Sequence, residues 1–195
     1  MSLALRAALN RVRRCWLNLW LYRRVFGERS QGRLLPHTRV SPTACIEHED
    51  GLVLADHVFI GQFCFIDASQ GVTLEEGVQV TSHVCIVSHS SHRALRLLGR
   101  EYARQRGVPP GYVTGAVRIG AYSFIGPHSV IEAGTQLGRG TLVRAGSVVR
   151  GCFPDFAVLA GNPAVVAGDT REKDAHWLRE HPELRANYDA WAADR

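Results

Sequence analysis

The sequence predicts an all-β solenoid: short parallel strands wound into a coil with a corner every six residues. The first observation is an aliphatic residue at each sixth position. One run reads Leu54, Ile60, Ile66, Val72, Val78 and Val84, and a second reads Ile119, Ile125, Ile131, Leu137, Val143 and Val149. Ile86 alone among the seven isoleucines reads as out of phase. The second observation is a mostly small residue four positions after each aliphatic: Val58, Cys64, Ser82 and Ser88, then Ser123, Ser129, Thr135, Thr141 and Ser147. The third is a glycine directly after an aliphatic, at Gly61, Gly120, Gly126 and Gly138. A period of six is neither the 3.6 of a helix nor the 2 of a plain strand. It suits aliphatic side chains filling a narrow lumen, with glycine taking the unusual backbone angles of corners. Successive turns should stack about 4.8 Å apart through main-chain hydrogen bonds. A β-sandwich of short strands would space its turns less evenly.

Residues 1–33 are expected to form a basic amphipathic N-terminal unit. Leu5, Leu9, Val12, Trp16, Leu19 and Trp20 follow helical spacing against Arg6, Arg13, Arg14, Arg23 and Arg24. Two readings fit such a helix: a cap on the open end of the coil stack, or contact with a membrane surface through residues 1–26. The coil is expected over residues 34–168, with two extra residues between Ile46 and Leu54. It is interrupted by a protruding loop over residues 89–116. Within that loop Leu95, Leu98 and Tyr102 have helical spacing, and Gly107, Pro109, Pro110 and Gly111 end it. Residues 169–195 should be one or two helices forming a cap, carrying Trp177, Leu178, Leu184, Tyr188 and Trp191.

The chain has 195 residues, enough for one domain with appendages. Its five cysteines, Cys15, Cys45, Cys64, Cys85 and Cys152, are odd in number and have no CxxC spacing. They read as buried small side chains in a reducing compartment rather than disulfides or a zinc knuckle. Arginines interrupt every apolar stretch near the start, so neither a signal peptide nor a membrane span is expected. The expected location is the cytoplasm, at the inner membrane face if the N-terminal helix binds lipid. Charge is concentrated at one end. Residues 1–39 hold nine arginines against Glu28, a net of +8, and with +5 for the whole chain the remainder carries −3. That is an N-terminal property, not a nucleic-acid footprint spread over the molecule.

Four segments carry a resemblance. They are Ser88-His89-Ser90-Ser91-His92 opening the loop, the run Ile119-Gly120 to Ile125-Gly126, Ala145-Gly146-Ser147-Val148-Val149, and Ala160-Gly161-Asn162-Pro163-Ala164. Together they resemble the hexapeptide-repeat acyltransferases, within them the sugar O-acetyltransferase branch of galactoside, maltose and surface-polysaccharide acetyltransferases. The resemblance covers residues 40–168 and implies a left-handed parallel β-helix. It implies acetyl transfer from acetyl-CoA to a sugar hydroxyl, in surface-polysaccharide or lipid-linked glycan synthesis, without a metal. It also implies a homotrimer with active sites between subunits.

By the same resemblance His89 is the general base, and His92 a supporting, substrate-binding histidine. The chemistry suits an imidazole, which can take the proton of a sugar hydroxyl as it attacks a thioester. Asp67 and Gln62 are the candidates for acceptor contacts. The pantetheine groove carries over to Ala145 and Gly146, with Ser147, Gly161 and Phe124 beside them. Relatives place a cation just past the AGxPA segment, where this chain has Val165, Val166 and Gly168. Arg144, Arg150, Arg171 and Lys173 are the substitutes for binding phosphate. Pro127 stands where relatives carry Ser, Ala or Gly, and it has no N–H to offer an oxyanion.

Three other functions compete. N-acetylation of an amino sugar needs the same donor and base. A γ-carbonic-anhydrase-like zinc hydratase would use three of His57, His83, His89, His92 and His128, but the H-x₄-H spacing of that family is missing. A non-catalytic scaffold would have no need of paired histidines at a loop mouth.

Overall fold

Three sheets, parallel except where Ala157–Gly161 pairs antiparallel with Ala164–Asp169 at one end, wrap one apolar lumen. In the computed structural model, which describes residues 2–22 and 25–193, the strands follow one another from face to face. Arg23 and Arg24 of the expected basic helix lie outside the described residues, as do Met1, Asp194 and Arg195. The first face has seven strands, starting with Arg39–Val40, Phe59–Ile60, Gln79–Val80 and Phe124–Ile125. The second has five: Cys45–Glu47, Phe65–Asp67, Cys85–Val87, Val130–Ile131 and Val148–Val149. The third also has five: Leu52–Leu54, Val72–Leu74, Val117–Ile119, Gln136–Leu137 and Cys152–Phe153. Ile60, Ile66, Ile86, Ile119, Ile125, Ile131 and Val143 are fully buried in the lumen between them. Apolar burial of this kind contributes about 25 cal/mol per Å2.

The turns are not all of one length, and this corrects the six-residue reading of the first half. Ile46, Ile66 and Ile86 stand in register on the second face at intervals of twenty residues. Ile131 and Val149, beyond the loop, are eighteen apart. Ile86 is therefore in phase. The two extra residues recur at the corner after Asp67, and Val78 and Val84 occupy the slot two residues before the inward Val80 and Ile86. Because valine fills a slot that serine or threonine fills later, the six-residue pattern runs on through the shift unnoticed.

The glycines also have another reason than the expected one. Gly61, Gly120, Gly126 and Gly138 are absent from the left-handed region, which at these corners is taken two residues later by Phe63, Tyr122, His128 and Gly140. What the four glycines supply is room. A Cβ on Gly126 would lie 2.5 Å from the main-chain nitrogen of Ala145 and 2.7 Å from the carbonyl of Val143. Gly126→Ala must push two turns apart at main-chain atoms that cannot rotate away. The expected cost is about 1–3 kcal/mol, read as a Tm lowered by on the order of 5 °C in a thermal melt.

The loop over residues 89–116 leaves the coil as a two-stranded antiparallel ribbon, His89–Ser90 against Val113–Thr114. Between them come a helix at His92–Leu98 and a 3-10 turn at Gly99–Arg104, where helical spacing was expected. The tail forms helices Thr170–Glu180 and Arg185–Ala192. Trp191 stacks on Tyr122 at 4.8 Å and lies beside Phe156 at 5.9 Å, so the tail packs over the corner between the third and first faces. At the other end, helix α1 (Leu3–Leu17) is N-capped by Ser2 and runs into a π turn at Asn18–Tyr22. None of its residues is buried, so in this chain it does not cap the stack. A hairpin of Glu28–Ser30 and Arg33–Leu35 straddles the expected boundary at residue 34 and is tied to the coil, Leu54 donating its main-chain N–H to Ser30 Oγ at 2.9 Å. No described helix is long and apolar enough to cross a membrane.

The cysteines depart from expectation. Only Cys64 is buried; Cys85 is half-buried, and Cys15, Cys45 and Cys152 are exposed. Cys45 and Cys85 each precede an inward isoleucine, and strand alternation turns such neighbours outward.

Candidate active site

The site lies at the corner between the second and third faces, where the extra residues and the loop both emerge. Asp67 ends one strand and pairs in register with Val87 in the next turn. The added Ser69 and Gln70 widen the lower corner, and His89 comes two residues after Val87 in the turn above. Asp67 Oδ2 consequently lies 2.5 Å from His89 Nδ1. Ser69 Oγ is 3.0 Å from the same nitrogen. Asp67 is 1% exposed, so its second role is forced: a buried carboxylate needs donors. It has them in the Ser69 main-chain N–H at 3.1 Å, the Ser69 hydroxyl at 3.3 Å and the Ser88 hydroxyl at 3.1 Å.

Burial pushes the Asp67 carboxyl up, but the Ser69 main-chain and hydroxyl donors and the His89 ring outweigh it and leave the group below its ordinary value. A carboxylate at Nδ1 fixes the proton there by the logic of the hydrogen-bond network, and leaves Nε2 as the basic nitrogen. Tyr112, from the returning limb of the loop, stacks on the imidazole with ring centroids 5.2 Å apart and planes 15° apart. The ring is thus held at its edge by Asp67 and on its face by Tyr112.

His89 lines a cleft of about 250 Å3 with Val87, Ser90, His92, Glu132 and Arg150 around it. His92 Nδ1 is 2.7 Å from Ser90 Oγ, an exposed pair at the rim. The structure brings together His89, His92, Asp67 and Arg150 from the expected set. Asp67, expected as an acceptor contact, is placed by the structure behind the histidine, 1% exposed and bonded to its ring.

The remaining candidates sit elsewhere in the chain. Gln62 lies at the corner between the first and second faces, where its Oε1 accepts from Ser82 Oγ at 3.1 Å. Arg144, Ala145 and Gly146 are exposed at that same corner. Ser147 is buried, donating to the Arg144 carbonyl at 2.7 Å and accepting from Gly161 N–H at 3.2 Å, so its hydroxyl is spent within the coil. Phe124 is exposed on the first face. Pro127 occupies the Gln62 corner too, its carbonyl accepting from Gly146 N–H at 2.9 Å. Arg171 is engaged by Asp169, Nε to Oδ1 at 3.0 Å, and Lys173 is exposed on the first tail helix.

Sequence reasoning missed Tyr112 and Ser69. It also could not see that His83 and His128 stack at 4.8 Å on the Gln62 corner, away from His89. No three of the five histidines considered for zinc converge within this chain. Among the described residues, one group has ligand atoms within 4.8 Å of one another: His37, Asp56 and His57. The two rings lie 4.5 Å apart with planes 2° apart. Their in-plane lone pairs therefore run in parallel planes and do not converge on a single ion.

Comparison with known proteins agrees with the repeat and the coil. The family described as "Bacterial transferase hexapeptide (six repeats)" matches residues 116–151. An Escherichia coli (strain K12) protein, WbbJ, whose name assigns it to lipopolysaccharide biosynthesis as an O-acetyl transferase, is 28% identical over 129 residues, 65% of this chain and 64% of its own length. The galactoside O-acetyltransferase of the same organism is 29% identical over 108 residues, 54% of this chain and 48% of its own length. The chain thus spans less than two thirds of the length of these curated relatives. Among solved structures, a mutant of AntD, an N-acyltransferase from Bacillus cereus in complex with dTDP and coenzyme A, matches with a TM-score of 0.54 at 20% identity, covering 73% of this chain and 88% of that one. A maltose O-acetyltransferase from Clostridium difficile 630 matches with a TM-score of 0.51 at 18% identity, covering 67% and 65%. The repeat and these neighbours imply that the coil is left-handed. In its repeat over residues 116–151 and its three-sided coil the chain is similar to the hexapeptide-repeat transferases.

Proposed function

We propose that the protein transfers an acetyl group from acetyl-CoA to a sugar hydroxyl, with His89 as general base and Asp67 as the residue that positions it. The observation that carries this is the contact of 2.5 Å between a buried carboxylate and His89 Nδ1, on a histidine that opens into a cleft. In the reaction His89 Nε2 takes the proton of the acceptor hydroxyl as its oxygen attacks the thioester carbonyl. The tetrahedral intermediate then collapses, the carbon–sulfur bond breaks, and the thiolate of coenzyme A receives the proton back from the imidazolium. Asp67 holds the ring in one tautomer and stabilises its transient positive charge. No covalent enzyme intermediate is needed.

The cleft is smaller than the about 300–1,000 Å3 of pockets that enclose a drug-sized ligand, which suits one ring of a longer glycan. Ser90, His92, Glu132 and Arg150 offer it donors and acceptors of both kinds. Arg144, Ala145 and Gly146, at another corner, meet His89 only if a second copy presents them. That is the reason to assign a homotrimer with the donor bound between copies. The names of the relatives support a polysaccharide acceptor, soluble or lipid-linked.

The test is thiol release from acetyl-CoA by purified protein across a panel of sugars, nucleotide sugars and amino sugars. Release that depends on a sugar hydroxyl supports the proposal. Release with amino sugars alone moves the reading to N-acetylation, and none with any acceptor or acyl chain rejects it.

A further inference from the structure

Helix α1 presents two chemically distinct faces and buries neither. Leu5, Leu9, Val12 and Trp16 fall on one side, Leu19 and Trp20 of the π turn follow them, and each of the six is between 48% and 66% exposed. Trp16 and Trp20 have ring centroids 5.8 Å apart. Arg6, Asn10, Arg11, Arg13 and Arg14 occupy the rest of the circumference, also exposed, and residues 2–22 contain no acidic residue. An apolar stripe of this width normally faces a core. Here no part of the coil covers it.

We propose that α1 lies in the surface of a membrane rich in anionic phospholipid, its apolar face among the acyl chains and its arginines among the headgroups. The charge distribution selects this occupant. The region up to residue 39 is +8 and everything after it is −3, so an anionic surface attracts this end of the molecule and repels the rest. Aromatic residues on the apolar face and arginines on the other are the composition of helices that lie in the interface. A second copy of the helix is a poorer partner, because it brings the same cationic flank with no acid to pair it. Crossing the bilayer is not the reading: among the described residues no helix is long and apolar enough to span it. Tyr22, at the end of the π turn, meets the ring of Phe63 at 6.1 Å, at the corner between the first and second faces. The His89 cleft opens at a different corner, so surface attachment leaves it accessible. This inference rests on the helix alone and does not depend on the acyl-transfer reading.

The experiment is flotation of the full-length protein with vesicles of phosphatidylglycerol and phosphatidylethanolamine, against vesicles of phosphatidylcholine. Binding is expected to the first and not the second, and to fall as salt is raised, since screening shortens the reach of surface charge. Two variants separate the contributions: Leu9→Glu with Trp16→Glu on the apolar face, and Arg11→Gln with Arg13→Gln and Arg14→Gln on the other. Each should lower partition onto anionic vesicles by about tenfold or more and leave the oligomeric state unchanged. The proposal is overturned if the parent protein does not float, or if either variant floats as the parent does. It is also overturned if the apolar variant changes the oligomeric state while vesicle binding persists, which would give that face to a second copy.

Discussion

His89→Ala is expected to reduce kcat for acetyl transfer by about 10²–10⁴, the worth of a positioned general base. KM for acetyl-CoA should change little if, as proposed, the donor is held by residues 144–146 of a neighbouring copy. His89 is half-buried, its ring stacks on Tyr112, and Asp67 keeps its Ser69 and Ser88 donors without it, so removing it should leave the coil intact and the oligomer unchanged. Steady-state kinetics with a thiol-release readout, paired with light scattering, checks both parts. An alanine variant as active as the parent would remove the histidine from the mechanism and leave the cleft without a base.

The second large effect belongs to Asp67. Asp67→Asn keeps the volume but replaces an acceptor-only carboxylate by an amide that can present a donor to Nδ1. The imidazole then has no fixed tautomer and no counter-charge, and kcat should fall by on the order of 10²–10⁴ with the KM values little changed. A stability effect accompanies it. The carboxyl is held below its ordinary value in the folded chain. A depressed acid stabilises the fold above the unfolded value of about 4, and that stability is lost as pH falls through the folded value. The parent should therefore lose stability on acidification below about pH 4 through this group, and the Asn variant should have a shallower acid limb. Thermal melts from neutral to acid pH measure the difference. Asp67→Ala should be worse at neutral pH, since it strands the Ser69 and Ser88 donors at about 1–3 kcal/mol. If Asp67→Asn leaves kcat untouched, the carboxylate is merely structural.

Much of this was legible in the sequence, and the limits are instructive. Ile119 to Val149 could be read residue by residue because each turn there is eighteen residues long and each aliphatic repeats its neighbour's place. Val78 and Val84 misled for the opposite reason: an apolar side chain fits the small slot of a wider turn, so hydrophobicity could not mark the two-residue shift. Gly126 was rightly singled out but for dihedral freedom, when the nearby main chain of Ala145 is what excludes a side chain. His89 was singled out through its motif, and the structure places it on the cleft. Asp67 was singled out as an acceptor contact, and nothing in a linear pattern shows that it bonds the ring of a histidine 22 positions away.

The sequence by itself determined the coil, the loop that breaks it and the two unlike ends, since periodicity and charge segregation are one-dimensional properties. Only the tertiary structure decided that Asp67 and Ser69 stand against His89 and that Tyr112 returns to stack on it. Those facts depend on the length of the turn that separates the residues, and turn length becomes visible only when one strand is laid in register on the next.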